Sequence, residues 1–401
     1  MPDPGRNRIL IWMCVLIAVN QLGFGSIVPV IALYARSFGV LQSAIGLAVG
    51  IYGLARFLVA LPAGQLADRI GRRSVLALGG LVTAAGNLLC GYAPDFPTFV
   101  VARFVSGAGA ALVVTTGTIV LADITTPVER GRMMSVYQGT FLFAVGVGPL
   151  PGGLLAERYG LAAPFLFYAA AGTIAAVLAF FYVPETRDLP CARATAAVAG
   201  AAPAAFAAQL RLLVGQVGFA LVGLSAFMGA VARTGGLFSV IPVLARDRLA
   251  LTADRIGFGL AVASIVGLAV AYPAGVLVDR YGRKTVIVPA SVMSGVSLIV
   301  FLVAPSYAWF LAGCVAWSVA AGIGGAAPAA YAADVAPPGM NAAAMSAYRM
   351  TGDLGYVVGP VALGIATDLA GADATLTTTA ALVVLVALLF ARFAPETYRR
   401  L

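Results

Sequence analysis

Histidine is absent from this chain of 401 residues, and charged side chains make up only 10% of it. Soluble domains carry about a quarter charged residues, and no water-soluble fold of this size could bury the 61% of residues that are hydrophobic. Without histidine a Ser-His-Asp site is excluded, and carboxylates would have to carry any proton. The composition therefore predicts a membrane protein and argues against an enzyme.

Cysteines and basic clusters are also scarce. The four cysteines, Cys14, Cys90, Cys191 and Cys314, have no pairing or metal-ligand spacing, so neither disulfides nor a metal site is predicted. No phosphate-binding loop of the Gly-x4-Gly-Lys type is present. The basic residues that give the net charge of +9 are spread along the chain and form no basic helix, so we expect no nucleic-acid partner. We also expect no cofactor.

What the sequence does contain is long apolar runs. A spanning helix needs ~20 apolar residues. Lipid offers no partners to backbone amides, so such runs form helices, and they are too long for the ~10-residue strands of a barrel. We expect an all-α membrane protein of twelve transmembrane helices, near residues 9–34, 44–66, 75–93, 97–121, 133–155, 162–183, 213–244, 255–277, 286–304, 308–332, 342–365 and 374–394.

The basic residues indicate how these spans are oriented. With the N-terminus inside, sixteen Lys or Arg lie at cytoplasmic ends and five at outer ends, in line with the positive-inside rule. The run after Arg6 and Arg8 is too long for a signal peptide and no cleavage site follows it, so we interpret it as the first span. We expect a multi-pass protein of a bacterial plasma membrane with both termini cytoplasmic.

The chain repeats itself at an offset of 211 residues. Unusual residues coincide in this register, among them Asp68 with Asp279 and Pro184-Glu185-Thr186 with Pro395-Glu396-Thr397. Six spans per half is an even number, so the repeat is parallel, as in the two halves of one transporter class. This predicts two homologous six-helix bundles, residues 1–186 and 212–401, joined by a cytoplasmic linker over 187–211. We expect a monomer.

The loop between spans two and three carries the most specific motif. It reads Gly-Gln-Leu-Ala-Asp-Arg-Ile-Gly-Arg-Arg from Gly64, and a second copy begins at Gly275. These loops, with the spans and the repeat over the whole chain, resemble the major facilitator superfamily of transporters. The resemblance implies a small-molecule substrate and two bundles that rock about a central site, and it is silent on which substrate.

The same resemblance implies a cytoplasmic latch that holds the outward-open state. The contacts implied are Asp68 with the region of Asn341, Asp279 with the region of Gly131, Arg72 with Asp123, and Arg283 with Asp334. The alternative is that both loops are merely solvated, positively charged connections. The gating residues expected on this basis are Gly64, Asp68, Arg69, Gly71, Arg72, Asp123, Gly275, Asp279, Gly282, Arg283 and Asp334.

Span four carries a charge inside the membrane. The segment Arg103-Phe-Val-Ser-Gly-Ala-Gly resembles the superfamily motif of an intramembrane Arg followed by Gly-x-Gly, with Ser106 where Gln is usual. An Arg within a span costs at least ~2.5 kcal/mol, so it ordinarily faces a cavity or a partner. We expect a role for Arg103 in proton coupling. The alternative is that its side chain snorkels to the outer surface.

Asp353 is the only carboxylate deep inside a span. It lies ~18 Å along the helix from Asn341, and Arg349 precedes it by one turn, so the two can pair. Competition between desolvation and the Arg charge would make Asp353 a proton site whose affinity changes with conformation. A structural ion pair is the alternative. The residues expected to couple protons are Asp353, Arg349 and Arg103.

Corresponding Gly-Pro clusters occupy spans five and eleven. The first resembles the antiporter motif of the twelve-span drug:proton antiporter branch, with Ala144 where that motif has Gly. Because the cluster is duplicated, the alternative is a close-packing and kink device, which Gly and Pro supply in any membrane helix. The residues concerned are Gly148, Pro149, Gly152, Gly153, Gly355, Gly359 and Pro360.

Other polar and aromatic residues inside spans are expected to line an amphiphilic substrate cavity, although each alone is more often a helix-helix contact. They are Asn20, Gln21, Phe24, Arg56, Tyr137, Gln138, Phe141, Phe227 and Arg233. The sequence thus predicts a proton-coupled exporter of small hydrophobic or amphiphilic compounds, with lipid bilayer, protons and substrate as partners. A proton-coupled uptake symporter for a sugar, organic acid or other nutrient, and a non-transporting membrane sensor, are the alternatives.

The predicted topology can be tested by cysteine labelling. In a background whose native cysteines are replaced by serine, an impermeant thiol reagent added to intact cells should label Gly371→Cys and not Thr195→Cys. Permeabilised cells supply the control, because both positions should then react. Labelling of position 195 but not 371 in intact cells would show that the orientation is inverted.

Overall fold

The computed structural model describes residues 4–125, 130–187, 203–325, 327–337 and 340–397. Within them the chain is helical. A short π-helical segment, Ala232–Val240, interrupts the α-helices, which are α1 Pro4–Ile27, α2 Ile31–Arg36, α3 Gln42–Ile70, α4 Arg72–Gly91, α5 Phe96–Ile124, α6 Arg130–Val147, α7 Pro149–Tyr159, α8 Ala163–Tyr182, α9 Pro203–Val214, α10 Val217–Val231, α11 Ile241–Leu249, α12 Ala253–Tyr281, α13 Arg283–Leu302, α14 Tyr307–Gly324, α15 Ala327–Asp334 and α16 Asn341–Phe393.

Eleven helical stretches in the described part of the chain are long and apolar enough to cross a membrane. The last, Ala343–Phe393, has 51 residues, or ~76 Å of helix against a hydrocarbon core of ~30 Å. Gly371 breaks it with φ 81° and ψ 164°. Its repeat equivalent, Gly160, has φ 91° and ψ 163° between α7 and α8. The predicted all-α membrane fold is confirmed, and a total of twelve spans is consistent with this broken last helix.

The chain forms two compact units. One comprises Met1–Phe38, Ile51–Ala201 and Ala253–Phe258, and the other comprises Gly39–Gly50, Ala202–Thr252 and Gly259–Leu401. The start of α3 therefore belongs to the second unit, and the start of α12 to the first. The boundaries predicted at 186 and 212 stay a prediction, and residues 188–202 of the predicted linker lie outside the described residues, while α9 covers its last part.

Each unit packs its helices around an apolar core. In the first unit α4 packs against α5 and α8, and α1 packs against α6 and α8. In the second unit α16 packs against α10, α13 and the π-helical segment, and α13 packs against α14. Tyr137 lies in the core of the first unit and Tyr331 in that of the second. Cys14, Cys90 and Cys314 are free thiols.

The π-helical segment lies between α10 and α11. Such segments are rare, and they occur often at functional sites. A Cβ on its Gly235 would lie 2.6 Å from the Gly359 carbonyl oxygen, so the backbones of the segment and α16 are in direct contact. Arg233 is exposed on this segment, with its guanidinium 5.8 Å from the ring centre of Phe238.

The Gly-Pro clusters form close helix contacts in both units. In the first, a Cβ on Gly152 would lie 1.9 Å from the Ser26 carbonyl oxygen of α1. In the second, a Cβ on Gly355 would lie 2.5 Å from the Phe227 carbonyl oxygen of α10. Backbones that approach this closely leave no room for a side chain. The alternative interpretation, that the Gly-Pro clusters serve close helix packing, therefore has a geometric basis. Close packing accounts for the clusters without a role in antiport.

Close packing at Gly152 predicts a large difference between two Gly→Ala substitutions. Gly152→Ala should destabilise the protein by ~1–3 kcal/mol, because its methyl group must displace α1. Gly139→Ala, in α6, is the matched control, since nothing lies within 4 Å of the Cβ it would add. That change should be neutral or stabilising, because Ala favours helix by ~1 kcal/mol over Gly. Thermal unfolding in detergent measures both, and equal melting temperatures would contradict the packing assignment.

Candidate functional site

The turn before α4 requires a glycine. Gly71 has φ 96° and ψ 154°, a conformation that L side chains rarely adopt. A Cβ there would also lie 2.3 Å from the Glu185 Oε2 atom. Gly282 has the same conformation before α13, with φ 93° and ψ 161°. The backbone thus explains why both copies of the loop motif carry glycine here.

Glu185, which follows α8, caps the N-terminus of α4. Its carboxylate accepts hydrogen bonds from the backbone N–H groups of Arg72 at 2.9 Å and Arg73 at 3.3 Å, and also from those of Thr186 and Arg187. Unpaired N–H groups and the helix dipole favour a carboxylate at this place. Glu185 was not among the residues predicted from the sequence, although its recurrence in the Pro-Glu-Thr repeat was a usable signal.

Arg72 is buried between two carboxylates. Its Nε atom lies 3.0 Å from Asp123 Oδ2, and the two side chains are only 5% and 3% exposed. The Thr186 hydroxyl donates a hydrogen bond to the same Asp123 oxygen at 2.9 Å. The Arg72 Nη1 atom lies 2.8 Å from Asp68, whose side chain is 64% exposed. The contact of Arg72 with Asp123, which the family resemblance implies, is therefore present. Asp68 is a second partner of Arg72, four residues before it in the chain.

The second unit repeats this network in a looser form. Arg283 Nε lies 2.9 Å from Asp334 Oδ2, with side chains 21% and 33% exposed. The Thr397 hydroxyl donates to the same oxygen at 3.1 Å, as Thr186 does in the first unit. Lys284 donates to the carbonyl oxygen of Ala394 at 2.9 Å. The pair implied for the second loop is thus present too, with greater exposure.

The remaining gating residues are placed less completely. Arg69 is exposed, and its carbonyl oxygen accepts a hydrogen bond from Arg187 Nη1 at 3.1 Å. Gly64 is half-buried. The nearest atom to a Cβ added there belongs to the side chain of Ile119. The implied contacts of the two loop aspartates stay predictions. The side-chain surroundings of Gly131, Gly275, Asp279 and Asn341 lie outside what the structure describes.

Arg103 is buried beneath an aromatic ring. Its helix, α5, begins after Asp95, which accepts a hydrogen bond from the Thr98 N–H at 2.8 Å. That bond lowers the pKa of the Asp95 carboxyl. The Arg103 side chain is 1% exposed, and its guanidinium lies 4.5 Å from the ring centre of Tyr52 on α3. This burial rules out snorkelling to the outer surface in this structure.

The ring that covers Arg103 belongs to an aromatic cluster. The hydroxyls of Tyr52 and Tyr168 lie 3.5 Å apart, and Phe24 stacks on Tyr52 with ring centres 5.2 Å apart. Gly23 and Gly107 permit this arrangement, because an added Cβ would lie 2.2 Å from the Tyr168 ring and 2.5 Å from the Tyr52 carbonyl oxygen. We name Phe24, Tyr52, Arg103 and Tyr168 the Arg103 cluster. Neither tyrosine was predicted from the sequence, since long-range contacts bring the two together.

The residues expected to line a cavity divide into two groups. Arg56, Phe24, Phe141 and Phe227 are half-buried, and Gln138 and Arg233 are exposed, as cavity-lining residues can be. Asn20, Gln21 and Tyr137 are instead 0%, 3% and 1% exposed, which corrects their assignment to a cavity wall in this structure. Neither polar atom of the Asn20 side chain has a hydrogen-bond partner among the described residues. Tyr137 packs in the core because its hydroxyl lies against Gly117.

Asp353 departs from the expectation of a buried ion pair. Both Asp353 and Arg349 are exposed on α16, and no ion pair joins them in the described chain. Val357 lies one turn further along the same face of α16. Its backbone approaches the start of α3, because a Cβ added to Gly50 would lie 2.7 Å from the Val357 carbonyl oxygen. The i, i+4 spacing permits this pair without requiring it, and the two exposed side chains do not make it in this structure.

The start of α3 is held by a residue that the sequence analysis missed. The Asp368 carboxylate accepts hydrogen bonds from the backbone N–H groups of Gln42 and Ser43, each at 2.9 Å. The Gln42 side chain also donates to the Ser239 hydroxyl of the π-helical segment at 3.2 Å. Asp368 thus caps α3 in place of a local residue. No short-range signal could reveal this cap, because 326 residues separate Asp368 from Gln42.

Comparison with known proteins assigns the family. The family model of the Major Facilitator Superfamily matches residues 13–252 and 219–401, which together span nearly the whole chain. The chain belongs to the Major Facilitator Superfamily. It is therefore an integral, multi-pass membrane transporter of small molecules and not an enzyme.

Several curated proteins of the superfamily are similar to this chain. An uncharacterised MFS-type transporter of Methanocaldococcus jannaschii is 22% identical over 373 residues, which cover 91% of this chain and 92% of the relative. Multidrug resistance protein 2 of Bacillus subtilis is 29% identical over 184 residues, or 46% of each chain. The quinolone resistance protein NorA of Staphylococcus aureus is 24% identical over 41% of this chain and 42% of its own. The chain thus spans less than half the length of these resistance proteins.

Solved structures share the fold. A bacterial homolog of the human lysosomal transporter Spinster, in an inward-facing and unoccupied conformation, has a TM-score of 0.79 at 16% identity and covers 97% of both chains. A D-xylose-proton symporter has a TM-score of 0.75 at 18% identity and covers 96% of this chain and 98% of its own. At such identities these transporters establish the architecture and leave the substrate of this one open.

The unequal burial of the Arg72 partners predicts unequal effects of their removal. Asp123→Asn should destabilise this transporter by ~3–5 kcal/mol, because it deprives a buried Arg of its buried partner. Asp68→Asn should cost at most ~1 kcal/mol, because that pair is exposed, while transport falls. Thermal unfolding in detergent and transport rates measure the two effects. Asp334→Asn removes a partner from the equivalent, more exposed pair with Arg283, so its loss of stability should lie between those of the other two variants. Equal melting temperatures for all three variants would contradict the ranking of these pairs by burial.

Proposed function

We propose that this transporter exports small hydrophobic or amphiphilic compounds in exchange for protons. The observation that carries the proposal is Asp353, an exposed carboxylate in the middle of a span. Ionisable groups at this depth face the bundle interior or a water-filled cavity and are rarely kept without a function. Because Arg349 does not pair with it in this structure, the Asp353 carboxylate is accessible for protonation.

The direction of transport is proposed from two lines of support. Relatives named for multidrug and quinolone resistance match this chain over nearly half its length. Phe24, Phe141 and Phe227 are half-buried, and aromatic rings of this kind are suited to amphiphilic compounds. A proton-coupled uptake symporter remains the rival function, and the direction of substrate movement distinguishes the two.

The loop networks complete the proposed cycle. We propose that Arg72 with Asp123, and Arg283 with Asp334, hold the cytoplasmic ends of the spans, and that Asp68 and Asp279 form a latch which opens and closes during alternating access. Glu185 stabilises the start of α4 in this arrangement. The transporter would work as a monomer in a bacterial plasma membrane, with both termini in the cytoplasm.

Proton coupling can be tested at Asp353. In proteoliposomes with an imposed pH gradient, wild type should move an amphiphilic dye against its concentration gradient. Asp353→Asn should abolish this uphill movement, because the amide cannot bind and release a proton, and should leave downhill exchange intact. Asp353→Glu should retain partial activity with a shifted pH profile.

Asp373→Asn is the matched control. Asp373 is an exposed carboxylate near the break in α16 and pairs with Arg248, so its neutralisation should leave uphill transport intact. If Asp353→Asn still concentrates the dye in response to the pH gradient, another group or another ion drives the cycle. If the dye moves together with protons and not against them, the transporter is a symporter.

A further inference from the structure

We propose that the exposed face formed by α4 and α8 binds an anionic phospholipid, with the lipid phosphate on Arg73 and the acyl chains along the two helices. This site goes beyond the proposed transport function and does not depend on it. It concerns only residues of the first compact unit. Its partner is a component of the membrane in which the protein lies.

The side chain of Arg73 stacks on an aromatic ring and pairs with no carboxylate. Its guanidinium lies 4.5 Å from the ring centre of Phe180 on α8. Within the described chain this guanidinium makes no ion pair, and its Nε atom has no hydrogen-bond partner. The nearby Glu185 carboxylate is occupied by four backbone N–H groups. Because the Arg73 side chain is only half-buried, an anion from outside the protein can reach it.

The contact between α4 and α8 runs from this pair toward the middle of the spans. A Cβ on Gly80 would lie 2.7 Å from the Ala176 nitrogen and 2.8 Å from the Gly172 carbonyl oxygen. Arg73 lies about two turns before Gly80 on α4. Phe180 lies about one turn after Ala176 on α8. The cation and its ring therefore stand at one end of a thin contact line of small residues, where the two backbones touch.

Apolar side chains flank this contact line on one exposed side. Leu81 and Val177 each stand one residue beyond a contact position, and both are exposed. The helices are antiparallel, since successive contacts advance along α4 and go back along α8. Residues one position beyond the contact therefore lie on the same side of it in both helices. Phe181 extends this side and is also exposed, so an apolar track leads away from Arg73.

Aromatic residues place Arg73 at the level of the lipid headgroups. The helix α8 is long and apolar enough to cross a membrane, and it ends on the exposed residues Phe180-Phe181-Tyr182. The Tyr182 ring stacks on Trp12 of α1 with ring centres 4.1 Å apart. Trp and Tyr are enriched at the membrane–water interface. A cation at this level meets lipid phosphates, and it favours lipids that carry a net negative charge.

The second unit shows what the same loop motif does without a free cation. Lys284 stands 211 residues after Arg73, and its ammonium group donates a hydrogen bond to the Ala394 carbonyl oxygen at 2.9 Å. In the same register Ala391 replaces Phe180. The second cation is thus held by the chain itself, and the ring that supports the first cation is missing from its equivalent position. This difference provides a matched control within one molecule.

An anionic phospholipid is the occupant that this surface favours. The planar guanidinium of Arg73 matches phosphate oxygens with two parallel hydrogen bonds, and the apolar track accommodates acyl chains. A soluble anion would leave that track unused. A zwitterionic phospholipid offers the same phosphate, but its own positive group offsets the attraction of Arg73. We therefore expect phosphatidylglycerol to bind more tightly than phosphatidylcholine.

Native mass spectrometry of the purified protein in detergent tests the inference without a transport assay. The protein is titrated with dioleoylphosphatidylglycerol or dioleoylphosphatidylcholine, which share their acyl chains and differ in headgroup charge. Wild type should prefer phosphatidylglycerol. Arg73→Gln should weaken its binding about fivefold, the effect of one basic residue near a membrane surface, and should leave phosphatidylcholine binding unchanged. Arg73→Lys should retain part of the preference, because the charge remains while the bidentate geometry is lost.

Two further variants make the outcome decisive. Lys284→Gln removes one positive charge from the equivalent position of the second unit and should keep the wild-type affinity for phosphatidylglycerol. Phe180→Leu keeps an apolar side chain but removes the ring beneath the guanidinium, so it should weaken phosphatidylglycerol binding less than Arg73→Gln does. Melting temperatures of the lipid-free variants show whether each is folded. Phe180→Leu carries the test if Arg73→Gln does not fold.

Three results would overturn the inference. The first is a wild type that binds both lipids equally. The second is an equal loss of phosphatidylglycerol binding in folded Arg73→Gln and Lys284→Gln variants, or no loss in a folded Arg73→Gln or Phe180→Leu variant. The third is competition by glycerophosphoglycerol, the headgroup without its chains, as strong as that of the whole lipid, because the site would then bind a free anion and not a lipid.

Discussion

Lipid offers no solvation to charge or to unpaired backbone groups, and this constraint organises the whole molecule. Apolar helices satisfy their own backbones, and the described acidic residues of the first unit lie in loops or near helix ends, where helix termini and arginines can pair with them. Glu185 and Asp368 both accept hydrogen bonds from the first N–H groups of a helix. Arg72 is buried with Asp123 as a hydrogen-bonded pair. Asp353 departs from this arrangement, because it is an exposed carboxylate within a span, and it is the residue for which proton coupling is proposed.

Close backbone packing is the second consequence of the same solvent. Helices in lipid gain little from burying apolar side chains against one another, so glycines that let backbones touch provide the contact. Gly152 against Ser26 and Gly355 against Phe227 are examples in the two units. The Gly-Pro clusters that resemble an antiporter motif therefore have a structural role wherever they occur. Their presence alone says little about the direction of transport.

Sequence patterns predicted the helices and the repeat, since both depend on composition or on spacing along the chain. The pair of Arg72 with Asp123 was implied by the resemblance of the loop motif to the superfamily. The arrangement of Asp353 and Arg349 could not, since an i, i+4 spacing permits a pair without requiring one. The tyrosines around Arg103 were missed for a related reason. Tyr52 and Tyr168 stand 116 residues apart, and nothing local marks them as neighbours.

The sequence by itself determined that this protein is a two-fold repeated, multi-pass transporter of the Major Facilitator Superfamily, because hydropathy, charge placement and the duplicated loop motif are local properties of the chain. Only the tertiary structure decided which intramembrane charges are buried, which are exposed and which share a partner. Arg103 lies beneath Tyr52 while Asp353 stays exposed. The physical reason is that burial depends on how neighbouring helices pack, and helix packing depends on contacts between residues that are far apart in the chain.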